Sequence, residues 1–367
     1  VDSRVMDYFL TNYYIIKKAI ENYGGVLTTT SRGSSASFII NKLLGFTTID
    51  RFNAEIPIYP QRFLTKERVL AHQLPDIDFN TSSQEPFIQA TKELLGEHGC
   101  YPLMAVEYMK EKAAWQLYAS VSGIEPQTAN EVSKSLDKYN DALKYADESE
   151  KEFIKVEDFI EPQFVSIYEE SKRYQGIVVN LKVHACGVIL FDGDVREEIG
   201  LISAVSETTK KRTLCACIEG GYLDSFGYVK NDYLIVDVVG LIDKCFKSIN
   251  QPVPTFEELK YMIKDDDATW DIYRKGITCC VNQVERGSTT QKVMEYKPQT
   301  IAELAAFIAG IRPGFASLLP KFLKRQNYST GENKIDELLA DSAHYMIYQE
   351  SIMKVLSFLK LPMGDTY

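Results

Sequence analysis

Histidine and tryptophan are scarce in this chain of 367 residues, with four of the first and two of the second. Its seven cysteines, Cys100, Cys186, Cys215, Cys217, Cys245, Cys279 and Cys280, are odd in number, and none form a C-x-x-C pair. That pattern argues against a zinc module and against a disulfide framework, and it suits reduced thiols. No apolar run approaches the ~20 residues of a membrane span, and the polar, tyrosine-rich start is not a signal peptide. No membrane partner is therefore expected. Positive charge is also in deficit, 41 Lys and Arg against 51 Asp and Glu, a net charge of -10. Binding to nucleic acid through bulk positive charge, as a histone does, is excluded. The deficit is local: bases to acids run 9 to 8 over residues 1–80, 10 to 18 over 81–175 and 22 to 25 over 176–367. Basic surfaces can therefore form outside the middle third.

What is present is ordinary globular material, 45% hydrophobic and 25% charged, at a length that suits two or three domains. The chain opens on Val1 and stops at Tyr367, and it reads as a piece of something longer. Residues 4–22 carry apolar side chains at helical spacing, ended by Gly24 and Gly25. Residues 26–30 read as a short strand, followed by a Gly/Ser turn at 31–37 and a second helix to about Leu44. Residues 74–79 alternate as a strand. From 81 to 174, Glu, Lys, Ala and Gln dominate, with helical patterns at 85–97, 103–121, 128–146 and 149–174. Strand patterns return at 187–191, 213–218 and 233–239. Pro252 and Pro254 then mark a boundary to a mostly helical remainder. There is no internal repeat.

Asp76 and Asp78 stand two apart on a predicted strand, so both carboxylates project from one face. Such a pair can hold two magnesium ions for phosphoryl transfer, or simply meet solvent on an exposed strand. Asp237 falls in an apolar run, Leu234 to Val239, that reads as a buried strand. A buried carboxylate there needs a base or a metal; the other reading is a strand whose polar face meets solvent. In the turn, Gly33 permits close backbone approach, while Arg32 and Ser34 add a guanidinium and a hydroxyl. The trio suits a phosphate, although a Ser-capped helix has the same residues and no Walker lysine follows. Arg62 and Arg68, Lys110 and Lys112, Arg312, and the group Lys321, Lys324 and Arg325 are scattered bases. Each alone is a surface charge; together they can line a triphosphate and template path.

The order of these segments resembles one family. Arg32-Gly33-Ser34, then Arg62-Phe63-Leu64, Glu67-Arg68 and Pro75-Asp76-Ile77-Asp78 resemble the palm of bacterial DNA polymerase III alpha, the C-family replicative polymerases. His184 to Val188 is similar to that family's histidine-alanine-glycine-glycine-valine strand, and Asp237 to Leu241 to its aspartate-phenylalanine-leucine-glycine-leucine strand. Val284-Glu285, Arg312-Pro313-Gly314 and Tyr348-Gln349-Glu350 resemble three segments of its fingers.

The resemblance implies an α+β fold: a polymerase-beta-like nucleotidyltransferase palm with a mixed sheet (1–80 and 175–250), a helical thumb insertion (81–174) and helical, partial fingers (251–367). It implies a template-directed DNA polymerase core that adds deoxynucleotides to a primer 3′-hydroxyl. Asp76, Asp78 and Asp237 would hold two Mg2+ ions. Arg32, Gly33, Ser34, Arg62, Lys112 and Arg312 would bind the nucleotide. Partners would be primer-template DNA, deoxynucleoside triphosphates and other replisome proteins reached through segments outside this chain, in the cytoplasm of a bacterium or an infected host. A template-independent nucleotidyltransferase and a non-catalytic replisome scaffold are the competing readings. Several positions depart from the family: Ser35 and Ser37 replace glycines, Gln116 an arginine and Cys186 the first glycine of its strand. The family's lysine two residues before the third aspartate is replaced by Ile235, with Lys230 as a substitute. These departures mark a divergent member, and a phage origin fits them.

Overall fold

The computed structural model describes residues 3–54, 58–71, 73–75, 77–146, 148–207 and 209–361. Asp76 lies outside the described residues. The fold is mixed α+β. The strands are β1 (Asp78–Thr81), β2 (Cys100–Tyr108), β3 (Val178–Leu190), β4 (Leu201–Val205), β5 (Arg212–Glu219) and β6 (Val229–Ile235). The longer helices are α1 (Ser3–Tyr23), α2 (Glu85–Leu95), α3 (Glu111–Val121), α4 (Pro126–Tyr145), α5 (Pro162–Ser171), α6 (Asp237–Ser248), α7 (Asp267–Lys275), α8 (Gly287–Tyr296), α9 (Ile301–Gly310) and α10 (Gln349–Phe358). Among the described residues, no helix is long and apolar enough to cross a membrane.

The chain divides into two compact units, residues 1–102, 185–201 and 220–367 in one, and 103–184 with 202–219 in the other. In the first, α1 buries Tyr8, Phe9, Ile15, Ile16 and Ala19, one stripe of a 3.6-residue repeat. It packs along α2. Gly25 ends it with an N–H donated to the Ala19 carbonyl at 2.8 Å. A Cβ on Gly25 would sit 3.1 Å from the Phe87 ring, so glycine is what lets the chain turn this closely over α2. Strand β1 runs parallel to β6, and β6 pairs antiparallel with the second half of β3. Phe79 and Tyr233 are register partners whose rings stack 6.1 Å apart, and Phe87 of α2 stacks on Tyr233 at 5.0 Å. These three buried rings tie the sheet to the helix layer.

A separate core in the same unit gathers Trp270, Tyr273, Val284, Val293, Tyr296, Phe307, Phe315, Phe322 and Tyr345. Arg325 closes its edge, with both Nη atoms 2.7 Å from Glu303 carboxylate oxygens and its guanidinium over the Tyr296 ring at 4.7 Å. The expected basic group at 321–325 thus loses its arginine to a structural clamp. In the second unit, α3, α4 and α5 pack around Trp115, Ala119, Val132, Leu136 and Tyr168. The Trp115 indole N–H donates to the Ala129 carbonyl at 2.9 Å, which satisfies the one polar atom of a fully buried ring.

Five secondary-structure expectations change, two of them at 74–79, where the strand runs Asp78–Thr81, and at 149–174, where the one long helix is Pro162–Ser171. The predicted helix over 103–121 begins instead as strand β2 and turns helical only at Glu111. The expected strand at 26–30 is reduced to a single bridge, Leu27 to Thr81. The strand expected at 233–239 spans Val229–Ile235, and Asp237 opens α6.

Candidate functional site

Period two decides which side chains meet on this sheet. Phe79 and Tyr233 are buried on the core face, so their neighbours Asp78 and Asp232 project from the opposite one. Asp78 and Asp232 are themselves register partners on adjacent parallel strands, and both are half-buried. Lys230, two residues before Asp232, shares that face and pairs its ammonium with the Asp232 carboxylate. The Cys186 Sγ lies 3.7 Å from Asp232 Oδ1. Burial, and then the negative charge of Asp232, push the Cys186 thiol up to about 11, with Asp78 acting in the same direction. Both effects disfavour the Cys186 thiolate.

Asp237 stands beyond the end of the strand that carries Asp232. The last β1–β6 pair is Thr81 with Ile235, three residues past Asp78, or roughly 10 Å along the strands at ~3.3 Å per residue. Asp237 comes two residues later, and had the strand continued it would share the face of Tyr233 rather than that of Asp232. It is exposed in the first turn of α6, where an acid favours the helix dipole. The premise of a buried, unpaired carboxylate at 237 thus falls away.

The turn at 31–37 lies against the Asp78 carboxylate. Gly33 has a φ of 58°, and a Cβ there would stand 3.0 Å from Asp78 Oδ2. Residues 33–37 form a 3-10 helix, and the expected second helix follows as the short Ile39–Leu43. Ser34 is half-buried, and its carbonyl accepts from the Ser37 hydroxyl at 2.6 Å. Ser35 and Ser37, which stand where the resemblance has glycines, are fully buried and pack the turn. Arg32 is exposed and donates to Asn80 Oδ1 at 3.3 Å. Arg32 and Asp237 line one cleft of about 680 Å³, whose other wall is the loop bearing Cys280, Asn282, Gln283 and Glu285. Arg312 donates to Gln283 Oε1 at 3.2 Å, so it reaches the cleft wall through that loop.

Arg62 is taken up elsewhere. Its Nη1 lies 2.6 Å from Glu350 Oε1, an ion pair between residues 288 apart in sequence. Glu350 is 7% exposed on α10. Beside it, burial pushes the Tyr348 hydroxyl up to about 12. Lys112 lies in the second unit, exposed on α3 and 3.2 Å from Asp137. There Gln116 donates to Ser133 Oγ at 2.7 Å and to Asn130 Oδ1 at 3.1 Å, which fills its position with a local network.

The sequence reading did not single out Asp232, which the register places beside Asp78. The signal for it was present: Lys230 stands two residues ahead of Asp232, the spacing the resemblance asks for at a third aspartate and fails to find at Asp237.

The family described as Bacterial DNA polymerase III alpha NTPase domain matches residues 2–235. The Bacterial DNA polymerase III alpha subunit finger domain matches residues 239–363. Asp232 falls inside the first match and Asp237 between the two. The DNA polymerase III subunit alpha of Deinococcus radiodurans is 24% identical over 371 residues, covering 96% of this chain and 27% of that protein. That of Thermus aquaticus is 24% identical over 366 residues, covering 94% and 29%. That of Bacillus subtilis is 23% identical over 357 residues, covering 96% and 31%. This chain thus spans less than a third of the length of these relatives. With two family domains matched end to end across nearly all of its residues, the chain belongs to the bacterial DNA polymerase III alpha family.

Proposed function

We propose that this chain is the catalytic core of a template-directed DNA polymerase, with Asp76, Asp78 and Asp232 as its metal-holding carboxylates. The observation that carries the reading is the pairing of Asp78 with Asp232 on one sheet face, with the Gly33 backbone against the Asp78 carboxylate. The Asp78 and Asp232 carboxylates are the hard oxygen donors that magnesium takes, with His184 and Cys186 as softer donors beside Asp232. On this reading Asp232 takes the role that the resemblance gave to Asp237. Residues 1–80 and 175–250 form a polymerase-beta-like palm, 81–174 the thumb and 251–367 part of the fingers.

Bound magnesium would supply charge neutralisation on the triphosphate and a lowered pKa for the primer 3′-hydroxyl. This chain's own residues do the positioning. Gly33, lacking a side chain, leaves room for phosphate oxygens beside Asp78, and Ser34 offers its hydroxyl at the same turn. Lys230 orients the Asp232 carboxylate through its ion pair. Arg32 offers an exposed guanidinium to the nucleotide from the cleft that also holds Asp237, and Arg312 acts from the opposite wall through Gln283. Arg62, held by Glu350, acts through the fingers segment rather than as a free phosphate ligand. Lys112 would contact phosphates of the duplex or nucleotide from the thumb. Primer-template DNA, deoxynucleoside triphosphates and further replisome proteins are the partners this role requires.

The test is primer extension with magnesium and four deoxynucleotides, with magnesium-dependent nucleotide binding scored in the same samples. Asp78→Asn and Asp232→Asn should each abolish extension and weaken nucleotide binding, whereas Asp237→Asn should retain both to within a few-fold. Loss in Asp237→Asn with retention in Asp232→Asn would overturn the assignment. Extension that ignores the template would favour a template-independent transferase. Wild-type binding in every variant would favour a scaffold.

A further inference from the structure

The loop between α7 and α8 carries two adjacent cysteines that no step above uses. Cys279 and Cys280 are both exposed, and their sulfurs lie 3.8 Å apart. Cys280 lines the 680 Å³ cleft, on the same wall as Gln283 and Glu285. The loop holds the pair in place. Thr278, just before it, is buried with its hydroxyl 2.8 Å from that of Thr290, and Val284, just after it, is fully buried. Cys280 itself sits at φ 63°, a left-handed conformation uncommon for a residue other than glycine. Strain of that kind persists only where the surroundings impose it.

The spacing distinguishes between two chemistries. A disulfide needs its sulfurs at about 2.05 Å and its Cα atoms usually at 4.4–6.8 Å. Residues joined by a trans peptide have Cα atoms only ~3.8 Å apart, so a direct bond here requires backbone movement. Two thiolates on one tetrahedral centre behave differently. With metal–sulfur bonds of about 2.3 Å, the edge between the two sulfurs is about 3.8 Å. That is the separation observed. Glu285 lies near enough for its negative charge to act on the Cys280 thiol, and such a charge favours a bound cation.

We propose that Cys279 and Cys280 form a dithiol site that takes one divalent cation of the zinc and cadmium class across both sulfurs at the edge of the cleft. As the two sulfur–metal bonds form, the two S–H bonds break and both protons pass to solvent, so no oxidant or reductant is required. Solvent, or the Glu285 carboxylate after a side-chain rotation, completes the coordination. The site is independent of the polymerase reading.

The probe is cadmium ion alone, added to the reduced full chain and followed by ultraviolet sulfur-to-cadmium absorption, calorimetry and a count of free thiols. One ion should bind per chain with protection of two thiols. Cys279→Ser and Cys280→Ser should each weaken binding at least tenfold, because each removes one of two bonds. Cys217→Ser and Cys245→Ser, which alter the other two exposed thiols, should leave it unchanged. Far-ultraviolet circular dichroism checks that every variant is folded. Full-affinity binding in either single variant at 279 or 280, or its loss in Cys186→Ser instead, would overturn the proposal. Protection of two thiols without cadmium uptake, with the mass falling by two hydrogens, would overturn it in favour of a disulfide.

Discussion

Replacing Gly33 with alanine does two separable things. At φ 58° an alanine adopts a left-handed conformation that costs about 1–2 kcal/mol. Its Cβ also arrives 3.0 Å from Asp78 Oδ2, closer than ordinary van der Waals contact, so the carboxylate or the turn must shift by a few tenths of an ångström. Gly24 provides the control: its φ is 67°, and an added Cβ meets nothing within 4 Å. Gly24→Ala and Gly33→Ala should therefore lose similar stability, about 1–2 kcal/mol in urea unfolding. Only Gly33→Ala should impair the site. Since a displacement of ~1 Å at a reacting centre can cost a hundredfold, a shift of tenths of an ångström should lower magnesium-dependent nucleotide binding and extension about tenfold. Both variants would be assayed at a temperature where each is fully folded. Equal functional loss in the two, or full function in Gly33→Ala, would refute the claim that this glycine exists to clear the Asp78 carboxylate.

Other expectations follow from packing and charge. Phe87→Ala removes the ring that stacks on Tyr233 and should cost ~3–5 kcal/mol in urea unfolding. Arg62→Ala leaves the buried Glu350 carboxylate without its partner and should cost about 3 kcal/mol, most of which a second change, Glu350→Gln, should restore; no recovery in the double variant would show the pair to be energetically idle. Arg325 holds the Glu303 carboxyl below its ordinary value, chiefly by hydrogen bonding. A lowered folded-state pKa means stability that is present above the unfolded value of about 4.5 and lost as pH falls through the folded one. Glu303→Gln should remove that part of the acid dependence, ~1 kcal/mol after solvent screening, with little change in the slope of stability above pH 6.

Local pattern alone placed much of this protein. The apolar stripe of α1, the long α4 and the Gly/Ser turn were all legible, because each depends on neighbours a few residues away. The run from Leu103 to Val121 was not. Its apolar side chains suit either period, and β2 forms because its residues find a partner in β5, more than a hundred positions along the chain. The same limit applies to the carboxylates. Residues 229–239 carry two aspartates, and nothing local says where the strand stops or which parity faces the core.

Tertiary structure decided the matter through register: once Phe79 stacks on Tyr233, period two sends Asp78 and Asp232 together to the other face and leaves Asp237 to begin a helix. Likewise, no spacing in the sequence could announce that Arg62 would be claimed by Glu350, or Arg325 by Glu303, because ion pairs are chosen by packing. The sequence by itself determined the family and the turn, and it pointed to Asp78. Which other carboxylate stands beside it was decided by a pairing of distant strands, where a slip of one residue would turn every side chain to the opposite face.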